Sequence, residues 1–173
     1  MKKNREVQNL VLAAIFAAIS IMINMFFKFI INMPNFGLPF YAIPIILGGV
    51  ILGPGYGALI GLVSDVAGVF AVGGDFLPLF MIRSILWGLV PGILMYKKYS
   101  NFKLAWVILF TYLLASLSNT FAMYVHFDAK TSFALLFLRL GLIPFNSVIM
   151  FFIIRDIYKK LEPMRERLIE VYE

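Results

Sequence analysis

The chain has 173 residues, 62% hydrophobic and only 14% charged, with no Cys and a formal net charge of +6. A soluble domain is about half apolar and about a quarter charged, so the balance excludes a disordered chain, a disulfide scaffold and a water-soluble enzyme. With a mean hydropathy of +0.92, it is an integral membrane protein by composition, because no globular core of this size hides so much apolar surface.

Apolar runs predict an all-α membrane domain of six transmembrane helices, at roughly 20 residues per span. The first covers residues 8–27, a retained helix with no small-residue cleavage site behind it. The turn-rich stretch Asn32-Met33-Pro34-Asn35-Phe36-Gly37 precedes a second at 41–52, too short alone for ~30 Å of hydrocarbon. That span either begins before Leu38 or is buried by its neighbours. The third, at 55–72, is entered through Gly53-Pro54-Gly55. The others lie at 76–96, 104–124 and 133–158, and a helical cytoplasmic tail of mixed charge follows at 159–173.

Orientation follows from the basic residues. Eleven of the fifteen Lys and Arg fall at the termini and at Lys97, Lys98 and Lys103; only Lys28 and Lys130 fall on the opposite side, and Arg83 and Arg139 lie inside spans. Both termini are therefore expected in the cytoplasm of a cell-membrane protein. The loops Lys28–Pro39, Gly73–Asp75 and Val125–Ser132 then face outward. A basic surface of this kind faces lipid headgroups rather than nucleic acid.

Ionisable groups inside a span need a partner or a ligand, which singles out Asp65, Arg83 and Arg139. The two arginines fall at similar depth in the outer half, where their guanidinium forks suit a carboxylate. Helical spacing groups Phe76, Phe80, Arg83 and Trp87 on one face and Arg139, Ile143 and Asn146 on another. Asn119, with Met123 one turn beyond and Tyr112 two turns below, completes an aromatic cavity with a few polar groups. The alternatives are a structural Arg83–Asp65 pair and an Arg139 that snorkels to the interface. Ala13, Ala14, Ala17 and Ala18 form two Ala-x-x-x-Ala pairs that let another helix approach closely, in this chain or outside it. Catalytic and metal-binding motifs do not occur, so no cofactor is expected.

Together these features resemble the substrate-binding S-components of energy-coupling factor (ECF) vitamin transporters. The likeness to the folate-specific branch rests on several stretches. They are Tyr41-Ala42-Ile43-Pro44-Ile45-Ile46-Leu47-Gly48-Gly49, Leu52-Gly53-Pro54-Gly55-Tyr56-Gly57-Ala58, Gly61…Asp65…Gly68, Gly73-Gly74-Asp75-Phe76-Leu77-Pro78-Leu79-Phe80, Asn119-Thr120, and Arg139 followed by Pro144. Arg83, where that branch carries a small or polar residue, and Phe121-Ala122 in place of a tryptophan depart from it. The resemblance implies a non-enzymatic subunit that captures folate from outside, or else pantothenate, a pyridoxine-type vitamer or a thiamine pyrimidine precursor. It further implies Asn35 and Phe36 at the site and outer loops that close over it. It implies that the alanine pairs dock on a transmembrane coupling subunit with two ATPases, and that the loaded subunit topples to deliver inward. A non-transporting membrane assembly protein is the alternative of another class.

Overall fold

The computed structural model describes residues 2–30, 39–71, 73–96 and 98–169. Among them are six α-helices and no strand. Helix α1 (Lys2–Met25) continues into a π-helical turn, Phe26–Ile30. Then come α2 (Ala42–Leu52), α3 (Pro54–Ala71), a 3-10 turn (Pro78–Phe80) leading into α4 (Met81–Met95), α5 (Asn101–His126) and α6 (Ala129–Ile169). Five helical stretches are long and apolar enough to cross a membrane: Glu6–Phe29, Pro54–Ala71, Pro78–Met95, Asn101–His126 and Ala129–Pro163.

Helix α2 is the exception in length. Its eleven residues are all buried, and at ~1.5 Å per residue it covers about half the hydrocarbon thickness. Being apolar all round, it has to be enclosed, and it packs against α1, α3, α4 and α6. Burial among neighbours, one of the two explanations for its shortness, is met; the stretch before Leu38 lies outside the described residues. Its first turn is fixed at Ala42, whose N–H donates to the Pro39 carbonyl at 2.8 Å. Gly53, at φ +99°, makes the tight exit that few L-residues tolerate, and Pro54 opens α3 at the first helical position.

Glycines set how closely α2, α3 and α4 approach. A Cβ on Gly49 or Gly57 would collide with the Gly88 carbonyl, one on Gly61 with the Ser84 carbonyl, and one on Gly92 with Pro54. Such backbone-on-backbone contact is the small-residue packing of membrane helices. Around this seam lie Ile45, Ile46, Val50, Ile60, Trp87, Met95, Ile108 and Met150, all but fully buried. Helix α5 shows the opposite faces plainly: Val107, Ile108, Thr111, Tyr112, Ala115 and Asn119 are buried, whereas Trp106, Phe110, Leu113, Leu117 and Phe121 are exposed. An exposed apolar face of that extent suits lipid.

Most helix ends fall within a few residues of the expected span ends. The fourth differs usefully. Residues 74–77 are not helical, because Gly73 at φ +65° and the restriction that Pro78 places on its predecessor delay the helix. The last span and the tail form one continuous helix through Ile169.

Candidate functional site

One end of the bundle encloses a cavity of ≈ 310 Å³ reached by all six helices or the turns beside them. Helix α1 and its π-helical turn contribute Asn24, Phe27 and Lys28, and Tyr41 enters from the turn before α2. Asp65 comes from α3, Phe80 from the 3-10 turn, Arg83 and Trp87 from α4, Tyr112, Ser116 and Asn119 from α5, and Arg139 from α6. The volume is at the lower end of the range for small-molecule pockets, and the mix of rings with few polar groups is usual for them.

Asp65 is matched twice. It accepts from the Ser84 hydroxyl at 2.8 Å and from Arg83 Nη2 at 3.4 Å. Its side chain is 9% exposed and that of Arg83 31%. Arg83 Nη1 donates to Asn119 Oδ1 at 2.9 Å, and its guanidinium lies 5.7 Å from the centre of the Tyr41 ring. Across the cavity, Asn119 Nδ2 donates to Met123 Sδ at 3.6 Å and Arg139 Nη2 to the same sulfur at 3.3 Å. A chain of polar contacts thus runs from α3 through α4 and α5 to α6. Below it, Tyr112 packs on Trp87 with ring centres 5.3 Å apart, and Asn146 Nδ2 donates to the Tyr112 hydroxyl at 2.8 Å.

Arg83, Arg139, Asn119, Phe80, Trp87 and Asp65 therefore converge on one cavity. The Arg83–Asp65 pair exists as well, so the structural alternative for Arg83 describes a real contact within that cavity. Asn146 is fully buried behind Tyr112, and Met123 touches the cavity through its contacts with Asn119 and Arg139. Phe76 is not brought in: ahead of the helix the spacing that grouped it with Phe80 has no meaning, and it stacks on Phe70 at 6.1 Å. Asn35 and Phe36 lie outside the described residues. Tyr41 and Lys28 are two lining residues that spacing alone does not indicate. Lys28 carries a signal as one of only two basic residues on the sparse side; Tyr41, in an irregular turn, is signalled only as the first residue of the stretch Tyr41–Gly49, one of those that carry the resemblance.

The alanine pairs separate. Ala13 and Ala17 are 4% and 5% exposed, and the Ser64 hydroxyl donates to the Ala17 carbonyl at 3.5 Å, so they pack within the chain. Ala14 and Ala18 are exposed on the other side of α1. Among the described residues no group of three or more acidic or His side chains could hold a metal ion.

A sequence model of the family described as the ECF transporter substrate-specific component matches residues 8–158. Neither a curated protein nor a solved structure matches the chain.

Proposed function

The chain belongs to the substrate-specific component family of ECF transporters, and from that premise we propose that it captures an anionic vitamin, folate foremost, in the cavity bounded by Arg83 and Arg139. As a member of this family it is a membrane subunit that binds a small substrate and works with the ECF coupling module; it is a transporter component and not an enzyme. The observation that carries the substrate class is Arg139. Its guanidinium lines the cavity yet meets no carboxylate among the described residues, its Nη2 reaches only a thioether, and its Nη1 is buried without an acceptor. A cation held in that way beside membrane-spanning helices needs a counter-charge, and an anionic substrate supplies one. Pantothenate is the second reading, favoured because a single uncompensated guanidinium matches a monocarboxylate.

In this reading the cavity opens to the outside of the cell membrane, six spans keep both termini in the cytoplasm, and the subunit topples to release inward. The exposed Ala14 and Ala18 form the close-approach face for the transmembrane coupling subunit, which carries two ATPases. Small side chains suit a contact made and broken in lipid, because parting them exposes no apolar surface to water.

Mass spectrometry of the small molecule that survives purification tests the substrate. Trp106 is exposed, so a Trp106→Phe background leaves Trp87 as the fluorophore in the cavity. Its emission is expected to change on titration with folate or pantothenate, and Arg139→Ala to weaken binding at least about tenfold, the scale of one charge-assisted contact. Unchanged affinity in Arg139→Ala would overturn the site. Ala14→Leu with Ala18→Leu is expected to abolish co-purification with the coupling module while leaving vitamin binding intact; an intact complex would remove the docking face.

A further inference from the structure

We infer that the two arginines have different tasks: Arg139 and Asn119 together form a monocarboxylate subsite over Met123, and Arg83 is a positioning residue that fixes which end of the Asn119 amide the ligand meets. The inference rests on the reading of this cavity as the substrate site and narrows it to one set of atoms.

The asymmetry follows from what each guanidinium already holds. The charge of Arg83 is offset by Asp65 at 3.4 Å, and its Nη1 donates to Asn119 Oδ1 at 2.9 Å. A guanidinium has only donors, so this bond determines the Asn119 amide. The oxygen faces Arg83 and the NH2 faces away, toward Met123 Sδ at 3.6 Å. Arg83 uses two of its five N–H groups in these bonds and its buried Nε–H has no acceptor, so it can still donate to a ligand but brings no unmet charge. Arg139 has no such counterion among the described residues. Its Nη2 reaches Met123 Sδ at 3.3 Å and its buried Nη1 reaches nothing.

Donors from two residues therefore converge on a thioether, which is among the weakest acceptors a side chain offers. Both polar side chains that meet the sulfur among the described residues donate to it. The complementary ligand group accepts only, spans two donors and carries one negative charge. A carboxylate meets all three conditions, and bonds to it are about twice as strong as neutral ones. A carboxamide or hydroxyl brings its own hydrogens toward Arg139 and Asn119 and no charge. A phosphate monoester also only accepts, but its second charge would call on Lys28, the remaining cation of the lining, since the charge of Arg83 is offset by Asp65.

Met123→Glu in the full-length purified chain tests the subsite without any ligand. The introduced carboxylate should take the donors of Arg139 and Asn119, raise Tm by a few degrees, and lose that gain in an Arg139→Gln background. It should also abolish vitamin binding by occupying the subsite. The ligand arm compares folate and pantothenate with their carboxamide analogues by Trp87 fluorescence in Trp106→Phe protein. The carboxylate should bind at least about tenfold tighter. Arg139→Gln should erase the preference and Met123→Leu keep it. Arg83→Gln should diminish it by freeing the Asn119 amide to turn, and Arg83→Lys should restore it. Equal binding of acid and amide overturns the inference, as does a Met123→Glu protein no more stable than wild type. If neither vitamin binds but Met123→Glu is stabilised through Arg139, the subsite stands and the assigned vitamins are wrong. If a vitamin binds without that stabilisation, the subsite is wrong and the transport reading stands.

Discussion

Asp65 is a carboxylate among apolar helices, and its value to the fold depends on its partners remaining together. Removing one member of a buried pair leaves the other charge unmet, and this costs more than removing both. With Arg83 31% exposed, solvent screens part of that cost. Asp65→Asn is expected to destabilise by about 2 kcal/mol, and Asp65→Asn with Arg83→Met by less than the single change, measured by thermal unfolding in detergent. Tyr99 presents the opposite case at the far end of the bundle. Its ring stacks on Tyr158 at 3.7 Å between centres, while its hydroxyl is buried without an acceptor. Burial first, and then the neighbouring Tyr158 and Glu162, push the Tyr99 phenol up to about 12. A raised phenol contributes stability that is complete below the ordinary value of about 10 and is lost as pH climbs through the folded value. Tyr99→Phe keeps the stack and removes the unmet hydroxyl. It should match or exceed wild-type stability at pH 7, by about 1 kcal/mol at most, and lack this part of the alkaline loss. The rarity of charge in apolar runs made Asp65, Arg83 and Arg139 legible in the sequence. The Arg83–Asp65 pair is legible there too and is present; the Arg83–Asn119 and Arg139–Met123 contacts are not, because they join residues that no shared helix face relates.

Helix positions are easier to read than helix contacts. The alternation of exposed and buried residues along α5 is written in its apolar spacing, and span ends follow from Gly, Pro and charge. The glycine seam is only half legible: Gly57, Gly61 and Gly68 announce a close approach on α3, but not that Gly88 and Gly49 meet it from α4 and α2. Gly88→Ala drives a methyl into the Gly57 backbone. Because backbone cannot move aside as a side-chain tip can, the cost should reach about 3 kcal/mol or more, the upper range for overpacking. Gly141→Ala supplies the control. Nothing lies within 4 Å of its added Cβ, and helix propensity alone should stabilise α6 by up to about 1 kcal/mol. The start of α6 is held differently. Asp128 Oδ1 accepts from the Thr131 N–H at 2.8 Å, an N-cap bond to the third helical residue. That bond holds the Asp128 carboxyl below its ordinary value. A lowered carboxyl contributes stability present above the unfolded pKa and lost as pH falls through the folded one. Asp128→Ala should lower Tm at pH 7, Asp128→Asn should lower it less, and the difference between wild type and Asp128→Ala should vanish in acid.

For the whole molecule the open question is how many times the chain crosses the bilayer, and α2 decides it. Among the described residues five helical stretches meet the length of a span and α2 does not, so counting by length puts the termini on opposite sides. Charge points the other way. The cluster of Lys97, Lys98 and Lys103 and the two termini hold eleven of the fifteen basic residues, against two at Lys28 and Lys130. A chain that crosses an odd number of times would leave one terminal cluster outside, against the positive-inside preference. Helix α6 adds a geometric constraint. Its 41 residues, at ~1.5 Å each, extend about 60 Å, roughly twice the hydrocarbon thickness, so an α6 that crosses would carry its charged end clear of the membrane on the side opposite Lys130. If α2 crosses, shielded by its neighbours from the lipid it is too short to span, the count is six and both ends share the cytoplasm. The absence of Cys makes this directly measurable. Single cysteines at Lys3, Lys98, Lys130 and Lys160 should label with an impermeant maleimide in intact cells only at Lys130, and at the other three after permeabilisation. Labelling of Lys3→Cys from outside, with Lys160→Cys protected, would mean that α2 does not cross, and the inward delivery proposed above would then need a different orientation for α1 and its exposed alanines.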